Sequence, residues 1–382
     1  MGVFHAVINR VKHLRAIANY EIDVYMISVY DTWLTKHFHH KSIPEEMPTQ
    51  FEADGIAVNI WWVRHHLRDS ASHKLMGSQP ARLLKSLENL SEKLKDYSLI
   101  SAHDLLGAYV ARAAHNSYGM PFFVTWHGAS IYTDPYVDPM LKPLTCNMLS
   151  DATKNFMVSK GLVQKAYELT EGAEFQWKVL RNGANNSFYR YSDDQREALR
   201  KELDVEGCKV VTYVGRFHPV KNVEVLPELF SLIKQKYGKP VKFWTIGNGP
   251  LLKKVSADMV KADIDCKMWD FQETEQMPRF MNCTDVLVLP SRLEGLPLVT
   301  IEAIACGANA VATDVVGTAE SIGKENAIAL DEHLVENMAT RIVEMLNQHI
   351  EQLLPEKCTW EATAERENNI YQQYLNTHTQ HA

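Results

Sequence analysis

The feature that most constrains this chain is the alternation of short apolar runs with longer amphipathic stretches. In the second half, apolar runs at 210–215, 241–247, 285–289 and 310–313 are interleaved with helical patterns, clearest at 227–236 and 251–261. In the first half, runs at 22–30, 56–63, 97–101 and 121–126 are interleaved with helical patterns at 81–94 and 105–116. Strands separated by a helix's length of chain pair in parallel through right-handed crossovers. The pattern therefore predicts an α/β chain with doubly wound parallel sheets, and 382 residues suit two domains better than one. Asn182-Gly183 and Asn185-Asn186 carry the turn chemistry of a domain junction.

Composition excludes several classes. A hydrophobic content of 46% is globular, and a net charge of −7 argues against general nucleic-acid binding. Six cysteines without a C-x-x-C pair fit a reduced chain rather than a disulfide framework or a zinc site. No apolar run reaches the length of a membrane span. Asn9, Arg10, Lys12, His13 and Arg15 interrupt any apolar signal core at the N-terminus. A cytoplasmic protein, at most peripheral at the inner face of the cell membrane, is expected.

The stretch 291–302, Ser-Arg-Leu-Glu-Gly-Leu-Pro-Leu-Val-Thr-Ile-Glu, carries the strongest chemical signal. Glu294 falls in the loop at a strand's carboxyl end, where open α/β sheets place their ligands. Glu302 falls about a turn and a half into the following helix, on the side of the same crevice. The free N–H groups at that helix start can hold sugar or phosphate oxygens. Two solvated carboxylates on a surface helix would give the same pattern. Arg216 and Lys221, after the strand ending at Gly215, can converge on one anion as a diphosphate clamp, or stand as two exposed cations. Gly247-Asn248-Gly249-Pro250 ends the next strand. Its glycines suit a close ligand approach or a tight turn, and Pro250 suits a first helical turn.

In the first half, His127-Gly128 follows the strand at 121–126, so His127 can reach into a cleft. His103-Asp104, after 99–101, is a weaker case of the same kind. His39-His40 and His65-His66 are read as non-metal, since adjacent residues on a strand face opposite ways. Asp263-Ile264-Asp265 has a metal-binding D-x-D form but lies in a helix-to-strand turn.

Taken in order, these residues resemble the retaining glycosyltransferases of the GT-B fold (family 4, group 1 type), whose two Rossmann-like doubly wound domains face across a cleft. The likeness runs through Asn182-Gly183, Gly215-Arg216 with Lys221, Gly247-Asn248-Gly249-Pro250, Leu289-Pro290-Ser291 and Glu294-Gly295-Leu296-Pro297 to Glu302. The first half matches loosely, through His127-Gly128. Thr359-Trp360 looks like the start of the family's C-terminal helix, which crosses back to the first domain. The resemblance implies domains at 1–155 (acceptor side) and 156–357 (nucleotide-sugar side), with a returning helix at 358–382. It implies a metal-independent hexosyltransferase-like enzyme of cell-surface polysaccharide or glycoconjugate assembly, with no cofactor beyond its nucleotide diphosphate sugar donor. Arg216 and Lys221 would neutralise the diphosphate. Gly247 and Gly249 would line the donor site, and Glu302 would hold the ribose. Glu294 with Gly295, Leu296 and Pro297 would hold the donor sugar, and His127 would contact it from the other domain. The acceptor would be a glycan, a lipid-linked sugar or a small molecule.

Two departures stand against the family pattern. The chain opens where the family's first helix would begin, without the usual first strand and glycine-rich loop. Phe4, Ile8, Val11 and Ala18 suggest that helix's packed face, with Arg10, Lys12 and Arg15 more exposed. Trp269-Asp270-Phe271 stands where relatives commonly carry a glycine. A locally basic stretch (Arg64, Arg68, Lys74, Arg82, Lys85, Lys93, Lys95) could meet an anionic membrane surface or be a solvated helix face. A non-catalytic nucleotide-sugar-binding or partner protein, and a nucleotide-sugar epimerase of the same fold, are the competing readings.

Overall fold

The computed structural model of the chain describes residues 2–31, 46–348, 350–355 and 358–379. It forms two compact units: the first ends its main stretch at Leu180 and regains the chain at Thr363, and the second is Arg181–Ala362.

In the first unit, β1 (Val24–Tyr30), β2 (Gln50–Ala53) and β3 (Ile56–Arg64) form a sheet in the order β1-β3-β2. β1 runs parallel to β3, and β2 joins β3 as a hairpin through Asp54-Gly55, both at positive φ. Asp-Gly is the residue pair that a two-residue hairpin turn requires. A second, wholly parallel sheet orders β4 (Ile100–His103), β5 (Phe122–Trp126), β6 (Lys154–Met157) and β7 (Trp177–Val179) consecutively. The expected domain boundary at 155 falls inside β6. The first unit extends to Leu180 because β6 and β7 continue the ladder begun by β4 and β5.

The helix Gly2–Ile17 buries Ala6, Ile8, Val11 and Leu14; of the expected face Ile8 and Val11 are buried, while Phe4 is half-buried and Ala18 lies beyond the helix end. Arg10 departs from expectation: it is 2% exposed. Its Nε donates to Glu367 at 2.8 Å and its Nη1 to Thr125 of β5 at 2.6 Å. Tyr371 Oη donates its one proton to Glu367 and lies 2.8 Å from Ser101 Oγ of β4, whose hydroxyl donates to it. Glu367 and Tyr371 belong to the C-terminal helix Trp360–Thr379, so the partner that buries Arg10 is supplied 357 residues downstream. Around this polar knot, Leu14, Phe123, Phe156, Leu180, Ala364 and Ile370 close an apolar core.

The second unit is a six-stranded sheet of β8 (Lys209–Val214), β9 (Val241–Ile246), β10 (Cys266–Trp269), β11 (Val286–Leu289), β12 (Asn309–Thr313) and β13 (Ala327–Ile328). Its order is β10-β9-β8-β11-β12-β13, every pair parallel. β11 is buried along its whole length, as an apolar central strand covered on both faces must be. The helix Leu226–Tyr237 shows how sequence sets an element here. Pro227 and Glu228 open it, Lys234 and Lys236 meet its carboxyl-end dipole, and Gly238 caps it at φ 64°. Leu226, Leu229, Phe230, Ile233 and Tyr237 recur at helical spacing, and Phe230 stacks on Phe243 of β9. Gly183 admits no side chain, because a Cβ there would lie 2.2 Å from the backbone nitrogen of Trp360.

Replacing Arg10 by Met strands a buried carboxylate whose partner was 3% exposed against its own 1%. The first unit should lose about 3–5 kcal/mol of stability, read from denaturant unfolding, and R10M/E367M should recover most of that loss. A loss under about 1 kcal/mol in R10M would contradict the role given to this pair.

Candidate functional site

The strand order of the second unit reverses direction between β8 and β11. Loops leaving these neighbouring strands part at their carboxyl ends and open a crevice, the usual place for a ligand in an open α/β sheet. The β8 loop carries Gly215-Arg216 and Lys221, and the β11 loop carries Ser291 through Pro297. Two contacts lock the loops together. The Arg292 backbone N–H donates to Val220 O at 2.8 Å, and its Nη2 donates to Asn222 Oδ1 at 2.8 Å. Asn222 is buried at φ 52°, a left-handed position that Asn tolerates better than most residues. Held this way, Lys221 Nζ donates to Glu294 Oε1 at 2.6 Å, with the side chains 21% and 11% exposed. Arg216 is exposed, and its carbonyl accepts from Tyr213 Oη at 3.0 Å. Burial raises the Tyr213 hydroxyl pKa, and the charge of Glu294 adds to the shift.

The structure thus brings Lys221 and Glu294 into contact and places Arg216 on the same loop as Lys221. Arg292 and Asn222 were missed in the sequence, since their value lies in a pairing across 70 residues. Gly247 and Gly249 have a reason for being glycine that involves no ligand. Their φ values are 135° and 153°, and a Cβ would lie 2.1 Å from Gly215 O or 2.5 Å from Phe217 O. Both let the β9 loop press against the β8 loop. Phe217 N donates to Asn248 O at 2.9 Å and Leu251 N to Phe217 O at 3.0 Å across that seam. Asn248 also reaches Asp270 at 2.9 Å, tying Trp269-Asp270-Phe271 to the same edge.

Gly295, Leu296 and Pro297 are buried, and Pro297 caps the helix Leu298–Ala305. The first N–H groups of that helix lack intrahelical acceptors. Thr300 Oγ1 donates to Pro297 O at 2.7 Å and fixes the entry turn. Glu302 lies in the second turn, half-buried, and burial pushes its carboxyl up to about 7.

In the first unit, His127 and Gly128 follow β5. Gly128 has φ 135°, and a Cβ there would meet Tyr132 Oη at 2.7 Å. His127 Nε2 lies 2.9 Å from Nδ1 of His103 at the end of β4, and the His127 backbone N–H donates to Asp104 Oδ1 at 3.1 Å. Asp104 sits at φ 53°, and burial pushes its carboxyl up to about 6. Burial, with Arg10 nearby, lowers His127 to about 3 and holds His103 well below its ordinary value.

The remaining candidates resolve simply. Asp263 and Asp265 are solvent-facing partners of Lys234 and Lys242, as a turn reading predicts. His65 Nδ1 pairs with buried Asp31 at 2.7 Å, and His39-His40 lie outside the described residues. Arg64, Arg68, Arg82, Lys85, Lys93 and Lys95 are exposed. Among the described residues no helix is long and apolar enough to cross a membrane, and no three His, Cys, Asp or Glu side chains group to hold a metal ion.

Residues 194–363 match the family described as Glycosyl transferases group 1. Over 283 residues the chain is 24% identical to TuaC of Bacillus subtilis, a glycosyltransferase named for teichuronic acid biosynthesis, covering 72% of this chain and 69% of that one. In structure it is similar to sucrose-phosphate synthase from Thermosynechococcus elongatus, with a TM-score of 0.72 at 19% identity, covering 97% of this chain and 93% of that one. HepE of Anabaena, solved in complex with UDP, gives a TM-score of 0.63 at 18% identity over 84% of this chain and 86% of that one. The fold is GT-B.

The Glu302 carboxyl gives a testable pH dependence. Its folded-state value, about 7, lies above the ordinary 4.5, so the folded state holds a proton that the unfolded chain has released between these limits. Stability should therefore fall as pH rises through that window. E302Q should unfold with a smaller loss between about pH 5 and about pH 8 than the parent chain, by urea titration at each pH. An unchanged difference would show that Glu302 is not the group responsible.

Proposed function

We propose that this chain, which belongs to the glycosyl transferases group 1 family, moves a sugar from a nucleotide diphosphate sugar to a hydroxyl of a glycan, lipid-linked or small-molecule acceptor during polysaccharide or glycoconjugate assembly. The observation that carries the proposal is the Lys221–Glu294 contact, held between the β8 and β11 loops, with Arg216 exposed on the same β8 loop. An ammonium bonded to a carboxylate offers a phosphate oxygen a cation and a sugar hydroxyl an acceptor within one short span.

In this proposal Arg216 and Lys221 take the two phosphates and stabilise the negative charge that builds on them as the anomeric bond breaks. Glu294 holds the donor sugar, with backbone N–H groups at the start of the following helix. Glu302 accepts from the ribose hydroxyls, a role that favours its ionised form, so nucleotide binding should tighten as pH rises through about 7. His127 takes a sugar hydroxyl. Transfer proceeds with retention. The bond from anomeric carbon to diphosphate oxygen breaks, the acceptor oxygen bonds that carbon on the same face, and the acceptor proton passes to the departing phosphate. Two cationic side chains supply the charge this route requires, so it calls for no metal. TuaC and the UDP-bound HepE support a polysaccharide context and a nucleotide donor by likeness.

The test is a thermal-shift screen against nucleotide diphosphate sugars, followed by transfer and donor-hydrolysis assays with the donor that stabilises the chain. K221A and E294Q should each slow turnover about 100-fold or more. Near-normal turnover in both would overturn the assigned roles, and donor binding without transfer or hydrolysis would overturn the enzyme.

A further inference from the structure

The first unit holds a pair of histidines whose geometry goes further than the role proposed for His127 alone. His103 ends β4 and His127 follows β5, and the two strands pair in parallel with His103 opposite Thr125. The rings are nearly parallel, at 22° with centroids 5.2 Å apart, and His103 Nδ1 lies 2.9 Å from His127 Nε2. Two ring nitrogens at that distance need one proton between them. Two N–H groups would clash, and two bare lone pairs would repel. Arg10 is the cation that acts on both rings, while Asp104, which receives the His127 backbone N–H, is the adjoining acid. Burial and Arg10 both disfavour the charged imidazolium form.

We propose that His103 is a positioning residue for His127 and that the two rings share a single proton, so that both always carry the same tautomer. If the shared proton sits on His103 Nδ1, His127 accepts it at Nε2 and must carry its own proton on Nδ1, where it offers a ligand a donor. If the shared proton sits on His127 Nε2, His127 Nδ1 is a bare acceptor and His103 accepts at Nδ1, with its own proton on Nε2. His103 therefore decides what His127 can offer a sugar hydroxyl, without needing to touch the sugar. This rests on the proposed role of His127, but the linked tautomers are a property of the free protein.

Two measurements separate these parts. Two-bond 15N–1H correlation spectra of the 15N-histidine-labelled full chain near neutral pH, assigned with H103N and H127N, should show both rings neutral and in the same tautomer. Opposite tautomers, or an imidazolium at either position, would overturn the shared proton. In transfer assays H103F, which removes the partner nitrogen, should lose about 10- to 100-fold in kcat with the donor KM little changed. H103N, whose amide overlies Nδ1, should retain most turnover. Equal turnover in H103F and the parent would overturn the positioning role. Failure of the parent chain to transfer any sugar would instead count against the function, with the spectra still deciding the proton.

Discussion

Parallel pairing of β8 with β11 is the constraint on which the candidate site depends. These strands are neighbours in the sheet but distant in sequence, and the chain leaves them in opposite directions around it. Their loops therefore separate at the carboxyl end and leave exposed backbone and side chains between them. No other pair of strands in the sheet has that relation. Arg292 then spans the gap by its backbone to Val220 and its guanidinium to Asn222, which fixes the neighbouring Lys221 against Glu294. Remove the adjacency of β8 and β11, and each of these contacts goes with it.

The electrostatics of the site follow from that packing. Lys221 and Glu294 partly cancel each other before any ligand arrives, which stabilises two half-sheltered charges that would otherwise be costly to hold in place. Arg216 stays exposed to solvent on the same loop, as a cation able to attract an anion. Glu302 is the opposite case, a carboxyl that burial makes reluctant to ionise. In the first unit the same economy recurs: Arg10 is neutralised by Glu367, and its remaining field helps to keep His103 and His127 neutral.

Much of this was legible in the sequence, and the rest was hidden for identifiable reasons. The strand runs at 210–215, 241–247 and 285–289 stand within a residue or so of β8, β9 and β11, because buried parallel strands are short and uniformly apolar. Arg216, Lys221 and Glu294 stand out in the sequence because each lies in a loop that follows a strand end, and Glu302 because it falls in the helix after the second of those loops. What sequence did not show were the pairings: Arg10 reads as an exposed helix cation until Glu367 arrives from the far end of the chain. Arg292 looks like a surface residue until Asn222 lies beside it. Gly247 and Gly249 fit a ligand-facing loop and a backbone-to-backbone seam equally well as letters, and the fold supplies the seam. The boundary at 155 was early because a strand's membership is decided by its ladder partner, here β5 for β6.

The central claim is that a nucleoside diphosphate binds at the carboxyl edge of the second sheet, between the β8 and β11 loops. Hydrogen–deuterium exchange of the full chain, with and without UDP and GDP, tests it most directly. The account predicts slower exchange over 215–222 and 291–302 on binding, with no change at the opposite edge of the same sheet, around Lys209, Pro240 and Asp285. Protection at that opposite edge with none at 215–222 or 291–302 would contradict it.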